Sequence, residues 1–490
     1  MPDASPVPAP NPPPPAVAPR LFERLFGTVR LAYLPVLLTY FCYGASGITA
    51  IALVYLQKDT LGLVPAEVAA IGFWAALPWS MKMVAGAASD RYPILGSRRR
   101  PYLLLGVLCA LVGYGLIAGV VSTKGLFLLA MVLVAVGFMV QDVIADALSV
   151  EIARTDEEIA QVQTLGRMAF LAGTISVGYL SGELTARLGP RAVFAVAMVL
   201  PVLVALAALT LRGEVRAAPP AAEGPLGAGR AQLVIGVGLA YAVLGVLLEM
   251  LGVPYAQEII LVVSAVLIVL LLQRIGLSRA VAVAAFVIFL FRAAPTVGQG
   301  YSYWAIDGLG FDQRFLGVLA QVSAVLGLVG LILFRKPIAR HPVSFTLTWV
   351  ILVATVLYLP SIGLFYGLHQ WLGISAHALA FIDTTISAPL AQLTMVPMLV
   401  LIAKTAPAGA EATMFAIMAS LMNLALSASE LFTRYLNEFF HVTQQDYSNL
   451  GRLMIAVAVL GLVPLLSIPL LRREEGQIGP GAVVRAAPAT

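Results

Sequence analysis

Charged side chains that interrupt apolar runs define the chemistry open to this chain. Asp142 and Asp146 lie four residues apart in one such run, a helical turn from each other on a shared face. Lys82 and Arg167 interrupt two further runs at a depth close to that of Asp146, with Asp142 one turn deeper. A central Asp, Lys or Arg costs about 2.5–3.5 kcal/mol on insertion scales, so a bilayer protein keeps such groups for a reason. Two chemistries fit. In one, Lys82 and Arg167 neutralise Asp142 and Asp146 and hold their helices together. In the other, an Asp takes up a proton when its cationic neighbour is drawn toward an anionic substrate.

A second set lies in the later half. Arg292 breaks the run AVAAFVIFLFRAAP, and Asp383 and Glu430 stand in two later runs. A guanidinium forms a bidentate fork with a carboxylate and stays protonated, which makes Arg292 the expected anchor for a substrate carboxylate. The structural alternative is an ion pair of Arg292 with Asp383 or Glu430. Tyr40, Phe41 and Tyr43, with Ser46 and Thr49, can stack on a planar ring and bond its edges, although aromatic stripes of this kind also serve packing. Asn423 completes the expected substrate contacts. Tyr301, Tyr303 and Trp304 read as an interfacial aromatic belt.

These residues need helices to position them. Of 490 residues, 60% are hydrophobic and 11% charged, against about 25% charged in an average soluble domain. Apolar stretches of the roughly 20 residues needed to cross a bilayer recur from Leu31 almost to the C-terminus, about fourteen in all. Lipid offers backbone groups no water, and strand-like alternation is absent, so an all-α polytopic bundle is expected rather than a barrel. Cys42 and Cys109 lie in apolar runs as small hydrophobes. His341, His369, His377 and His441 lack ligand partners at metal spacing, so neither a metal nor a cofactor is expected. No Ser-His-Asp constellation and no GxxxxGK[ST] loop occurs, which argues against an enzyme and an ATP-driven pump.

The net charge of +5 would suggest nucleic acid in a soluble protein. Here, placing both termini in the cytoplasm gathers most basic residues on that side, as the positive-inside rule requires. The expected partners are therefore the lipid bilayer, a small-molecule substrate and protons, with no nucleic acid, in a monomer of a bacterial inner membrane. Residues 1–30, Pro/Ala-rich at the start, read as a disordered cytoplasmic tail rather than a cleaved signal, and 473–490 as a second tail. Residues 31–212 form a six-helix bundle, and the Pro/Gly/Ala-rich 213–231 a cytoplasmic linker. Residues 232–278 form an inserted helical hairpin, and 279–472 a second six-helix bundle. Two similar bundles are the expected frame of a transporter.

The turn Gly86 to Tyr102 carries Asp90, Arg91, Arg98, Arg99 and Arg100. Its plain reading is positive-inside topology. Its functional reading is a gate in which Asp90 approaches a helix N-terminus, arginines bond helix-end groups, and Gly86 permits close helix approach. Together with Lys58-Asp59-x-Leu61-Gly62-Leu63 and Pro78-Trp79-Ser80-Met81-Lys82, this stretch resembles the folate-biopterin transporter family of the major facilitator superfamily. Gln141-Asp142 through Asp146 to Glu151, and Pro397 through Ala406-Pro407 and Glu411 to Phe415 and Asn423, are also similar to that family. The resemblance implies a secondary transporter of a folate, pterin or related organic anion, working by alternating access with proton coupling. The hairpin is not a family hallmark, and the acid-rich segment around Asp142 also resembles muropeptide permeases. Those permeases, and a non-transporting membrane assembly factor, remain the alternatives.

Overall fold

A computed structural model describes residues 29–211, 228–275, 278–391, 393, 395–406 and 411–477. The expected tails (1–28 and 478–490) and most of the expected linker lie outside the described residues. Regular structure among the described residues is helical, apart from one isolated bridge between Ile94 and Ser97. The first half comprises α1 (Leu31–Thr60), α2 (Pro65–Arg91), α3 (Arg100–Gly119), α4 (Lys124–Glu151), α5 (Asp156–Leu188) and α6 (Pro190–Ala208). Next come α7 (Ala228–Met250) and α8 (Ala256–Ile275). The second half holds α9 (Arg279–Arg292), α10 (Gln299–Leu309), α11 (Gln313–Arg340), α12 (Val343–Phe365), α13 (Ala376–Ala391), α14 (Met395–Thr405), α15 (Glu411–Phe440) and α16 (Leu450–Glu475).

Local sequence sets the helix starts. Thr123, Thr155, Ser278 and Asp312 each accept the backbone N–H of the third residue of the following helix, which satisfies a donor that the first turn leaves unpaired. Among the described residues, eleven helices are long and apolar enough to cross a membrane. Three of the expected spans do not appear among those eleven, for two physical reasons. The segment 161–182 is part of the long α5, which carries Gln161, Gln163 and Arg167. The segment 280–298 is helical only as far as Arg292, where α9 ends, and 376–403 is divided between α13 and α14.

Small residues bring the helices together. A Cβ on Gly137 of α4 would lie 2.6 Å from the Ala110 nitrogen and 2.7 Å from the Gly106 carbonyl oxygen of α3, so backbones touch at this crossing. Gly44 of α1 and Gly173 of α5 make a similar crossing, each against the other helix's backbone. The two halves meet where Gly178 of α5 faces Gln321 of α11, whose backbone and side-chain atoms would lie 2.8 Å from an added Cβ. They meet again along α2 and α15.

Two breaks in the helices concern the site. In α2, Pro78 precedes a kink at Met81, where the Met81 N–H turns back to the Pro78 carbonyl at 3.0 Å. Between α9 and α10 the chain Ala293–Gly298 is unwound, and α15 satisfies its backbone. Ser429 donates to the Ala294 carbonyl (2.7 Å), Thr433 Oγ1 accepts the Thr296 N–H (2.9 Å), and Asn437 donates to the Val297 carbonyl (3.1 Å). The continuation α10 buries Tyr303 completely and half-buries Tyr301, so Tyr303 is a core residue rather than part of an interfacial belt. The pair α7–α8 lies over the α2–α15 seam: Gln257 donates to the Ala70 carbonyl of α2 (3.0 Å) and accepts from Arg434 of α15 (3.2 Å).

The crossing of α3 and α4 leaves no room for a methyl group at Gly137, whereas nothing lies within 4 Å of a Cβ at Gly119. Gly137→Ala should therefore lower stability by about 1–3 kcal/mol, read as a lower melting temperature and folded yield in detergent. Gly119→Ala should match the parent protein; equal losses would contradict this packing.

Candidate functional site

Three helices of the first half, α1, α4 and α5, converge on one cavity of about 210 Å³, lined by Tyr40, Tyr43, Asp142, Gln163, Arg167 and Phe170. Asp142 is 7% exposed and pairs with Lys82, which α2 presents directly after its kink. Lys82 Nζ also lies 5.1 Å from the Trp79 ring centroid. Trp79 stacks on Tyr43 (5.3 Å, 19°), and Tyr43 in turn packs on Phe138 and Phe170. The kink has a further consequence. The Trp79 carbonyl accepts from the Asn423 amide of α15 at 2.9 Å, so the second half closes a backbone bond that the broken helix leaves open.

The charge network differs in detail from simple neutralisation. Lys82 pairs with Asp142, one turn deeper than the Asp146 whose depth it shares in the sequence, and Asp146 accepts the Tyr40 hydroxyl. Arg167 makes no ion pair among the described residues; its guanidinium lies 5.0 Å from the Phe170 ring and faces the cavity. Gln163, which the sequence reading did not single out, also faces the cavity and donates to Ser149 at 2.6 Å. Its signal was a polar residue one turn before Arg167 on the same face of α5.

The second-half candidates do not gather into one cluster. Asp383 accepts the Ser361 hydroxyl at 2.6 Å. Arg292 ends α9, just before the unwound segment. Glu430 instead faces a cavity of about 400 Å³ between the halves, shared with Gln57, Gly72, Thr296, Gly298 and Gln299. Pro295 and Gly298 inside an apolar run are the sequence signal that could have located this cavity.

The two ends of the helices differ. Where α1 runs into α2, the halves are tied: Lys58 pairs with Asp307 (2.7 Å), Gln444 donates to the Leu63 carbonyl (2.6 Å), and Arg314 pairs with Glu183 (3.0 Å). Where α2 runs into α3, Arg99 joins Asp90 (2.7 Å), Glu151 (2.5 Å) and the Ser89 hydroxyl (2.7 Å). All of those partners belong to the first half. Burial opposes the Arg99 charge, but the hydrogen bond and charge of Glu151 and the charge of Asp90 outweigh it and raise its pKa above the usual arginine range. Ile94 and Ser97 exchange backbone bonds across Leu95-Gly96, both at positive φ, in a tight turn that presents Arg98 and Arg99. Arg91 sits half-exposed at the end of α2. Gly86 meets Val143 of α4 at an ordinary 3.7 Å, so this arrangement leaves space for a methyl group there.

Removing one member of the Lys82–Asp142 pair leaves a buried charge alone. Lys82→Met should destabilise by about 3–5 kcal/mol, and adding Asp142→Asn should recover most of that loss. Melting of the single and double variants in detergent checks this; additive losses would contradict the pairing. Asn423→Ala leaves the Trp79 carbonyl unpaired and should lower stability by about 1–3 kcal/mol, checked in the same assay, with no change contradicting the assigned bond.

A family model described as the BT1 family matches residues 44–478. The chain is 30% identical over 447 residues to a folate-biopterin transporter of Synechocystis sp., covering 91% of this chain and 82% of the relative. It is 22% identical to folate transporter 2 of Plasmodium falciparum over 88% of this chain and 86% of that protein. Among solved structures, a POT family transporter in complex with a thioalcohol-conjugated peptide superposes with TM-score 0.70 at 14% identity, covering 93% of this chain and 98% of that one. A nucleoside transporter superposes with TM-score 0.64 at 12% identity, over 90% of this chain and 100% of that one. These structures share the fold, which is a transporter fold.

Proposed function

The chain belongs to the BT1 family of integral membrane transport proteins, and from that premise we propose that it carries a folate, a pterin or a related organic anion by proton-coupled alternating access. The names of its relatives support the substrate class. One observation carries the mechanism: an Arg167 without an ion pair among the described residues shares a cavity with Asp142, which pairs with Lys82 and lies one turn from Asp146.

An anionic group entering this cavity meets the Arg167 fork. Its charge also draws Lys82, a point charge on a flexible stem, away from Asp142. Asp142 then stands beside Asp146 without its cation, and two neighbouring carboxylates do not both stay charged, so a proton binds. Tyr40 and Tyr43 offer ring faces to the part of the solute beside its anionic group. Arg167 thus takes the anchoring role for which the sequence favoured Arg292, because Arg167 faces this cavity.

The two halves rock against each other, with α7–α8 as an insert over their seam. The tied end is the external gate. The Asp90–Arg99–Glu151 cluster is the cytoplasmic gate, bracing the first half for contact with the second when the cavity turns outward. Positive-inside topology supports cytoplasmic termini.

Proteoliposomes with an imposed pH gradient test this reading. The parent protein should accumulate a pterin or folate. Asp142→Asn should lose at least about tenfold of the accumulation while retaining exchange, and Arg167→Ala should raise the half-saturating concentration at least about tenfold. No accumulation of any pterin, folate or muropeptide, or gradient-driven uptake intact in Asp142→Asn, would overturn it.

A further inference from the structure

The 400 Å³ cavity between the halves is not used by the proton chemistry above, and its walls have an unusual balance. Glu430 of α15 contributes a carboxylate, and Gln57 of α1 and Gln299 of α10 contribute amides. Gln57 is 3% exposed, and no protein group among the described residues donates to the Gln57 or Gln299 amide oxygens. No basic residue stands among the residues that line this cavity. Buried acceptors without donors are rare and call for a donor-rich ligand.

Gly72 admits the Glu430 side chain against α2 at the wall of this cavity. A Cβ at that position would lie 2.8 Å from Glu430 Oε2. The unwound backbone of Ala293–Gly298 borders the same space through Thr296 and Gly298, but its carbonyls of Ala294 and Val297 are already engaged by Ser429 and Asn437. Its volume falls within the about 300–1,000 Å³ of small-molecule sites and exceeds what a bare cation fills. The remaining lining, Leu53, Ile71 and Met131 among it, is apolar and suits a flat ring.

Resting on the transport of pterins proposed above, we infer that this cavity reads the pteridine ring, with Glu430 accepting two parallel hydrogen bonds from its 2-amino group and the adjacent ring N3–H. That edge presents two neighbouring donors, the pattern that a carboxylate matches in bidentate fashion. Gln57 and Gln299 accept from the remaining N–H groups of a reduced ring. The site therefore selects 2-amino-4-oxo pteridines over 2,4-dioxo pteridines, whose 2-oxo group would face the carboxylate acceptor to acceptor. A site built to bond a donor rejects the analogue lacking it strongly, because its own polar groups are left unpaired.

Exchange in proteoliposomes, with labelled pterin competed by unlabelled pterin or lumazine (the 2,4-dioxo analogue), tests this. The parent protein should prefer pterin by at least about tenfold. Glu430→Gln, whose amide can donate to a 2-oxo group, should abolish or reverse that preference. Glu430→Asp keeps the carboxylate and should weaken pterin while preserving the preference, which separates recognition from folding should Glu430→Gln fold poorly. An unchanged pterin-to-lumazine ratio in folded Glu430→Gln would overturn the inference while leaving pterin transport standing. Failure of the parent protein to exchange any pteridine would instead remove the substrate reading and this inference together.

Discussion

A charge or an open backbone group inside a bilayer has no water to turn to, and the organisation of this chain follows from finding each such group a protein partner. Asp142 takes Lys82, and Asp146 takes the Tyr40 hydroxyl. The Trp79 carbonyl, released by the kink after Pro78, takes Asn423 from the opposite half. The unwound Ala293–Gly298 takes three polar side chains of α15. Where α2 kinks or the α9–α10 span unwinds, α15 supplies the missing bonds, so the same helix that joins the halves also senses the backbone distortions beside both cavities.

That arrangement ties function to stability. Each polar partner holds the structure only while the other remains in place. A substrate that competes for Lys82 therefore disturbs packing as well as charge. The ties at the α1–α2 end are of a different kind, since Lys58, Asp307, Arg314 and Glu183 are partly exposed and each pair contributes little alone. A seal assembled from several weak contacts can open without breaking any single strong bond, as the proposed alternating access requires.

Much of the frame was legible in the sequence, because bilayer thickness converts hydrophobic length directly into helices. Depth and spacing point to a charge network of Lys82, Arg167, Asp142 and Asp146 without assigning its pairs. Other features depend on how helices rotate and pack, which one chain's spacing does not encode. Asp146 turned to Tyr40, and Arg167 to a ring face and the cavity, through helix orientation. Pro295 and Gly298 read in the sequence as the end of a span, which would leave Tyr303 interfacial; in the structure they lie in an unwound break between α9 and α10. Glu430 acquired its place from Gly72, a neighbour more than three hundred residues away in sequence.

The most direct test of coupling between the cavity and the proton is to record solute entry and lumen acidification together in proteoliposomes of the unaltered protein. Addition of an external pterin or folate should start proton entry that rises and saturates with solute uptake and stops when solute is withheld. Solute uptake with no accompanying acidification would contradict the role assigned to Asp142.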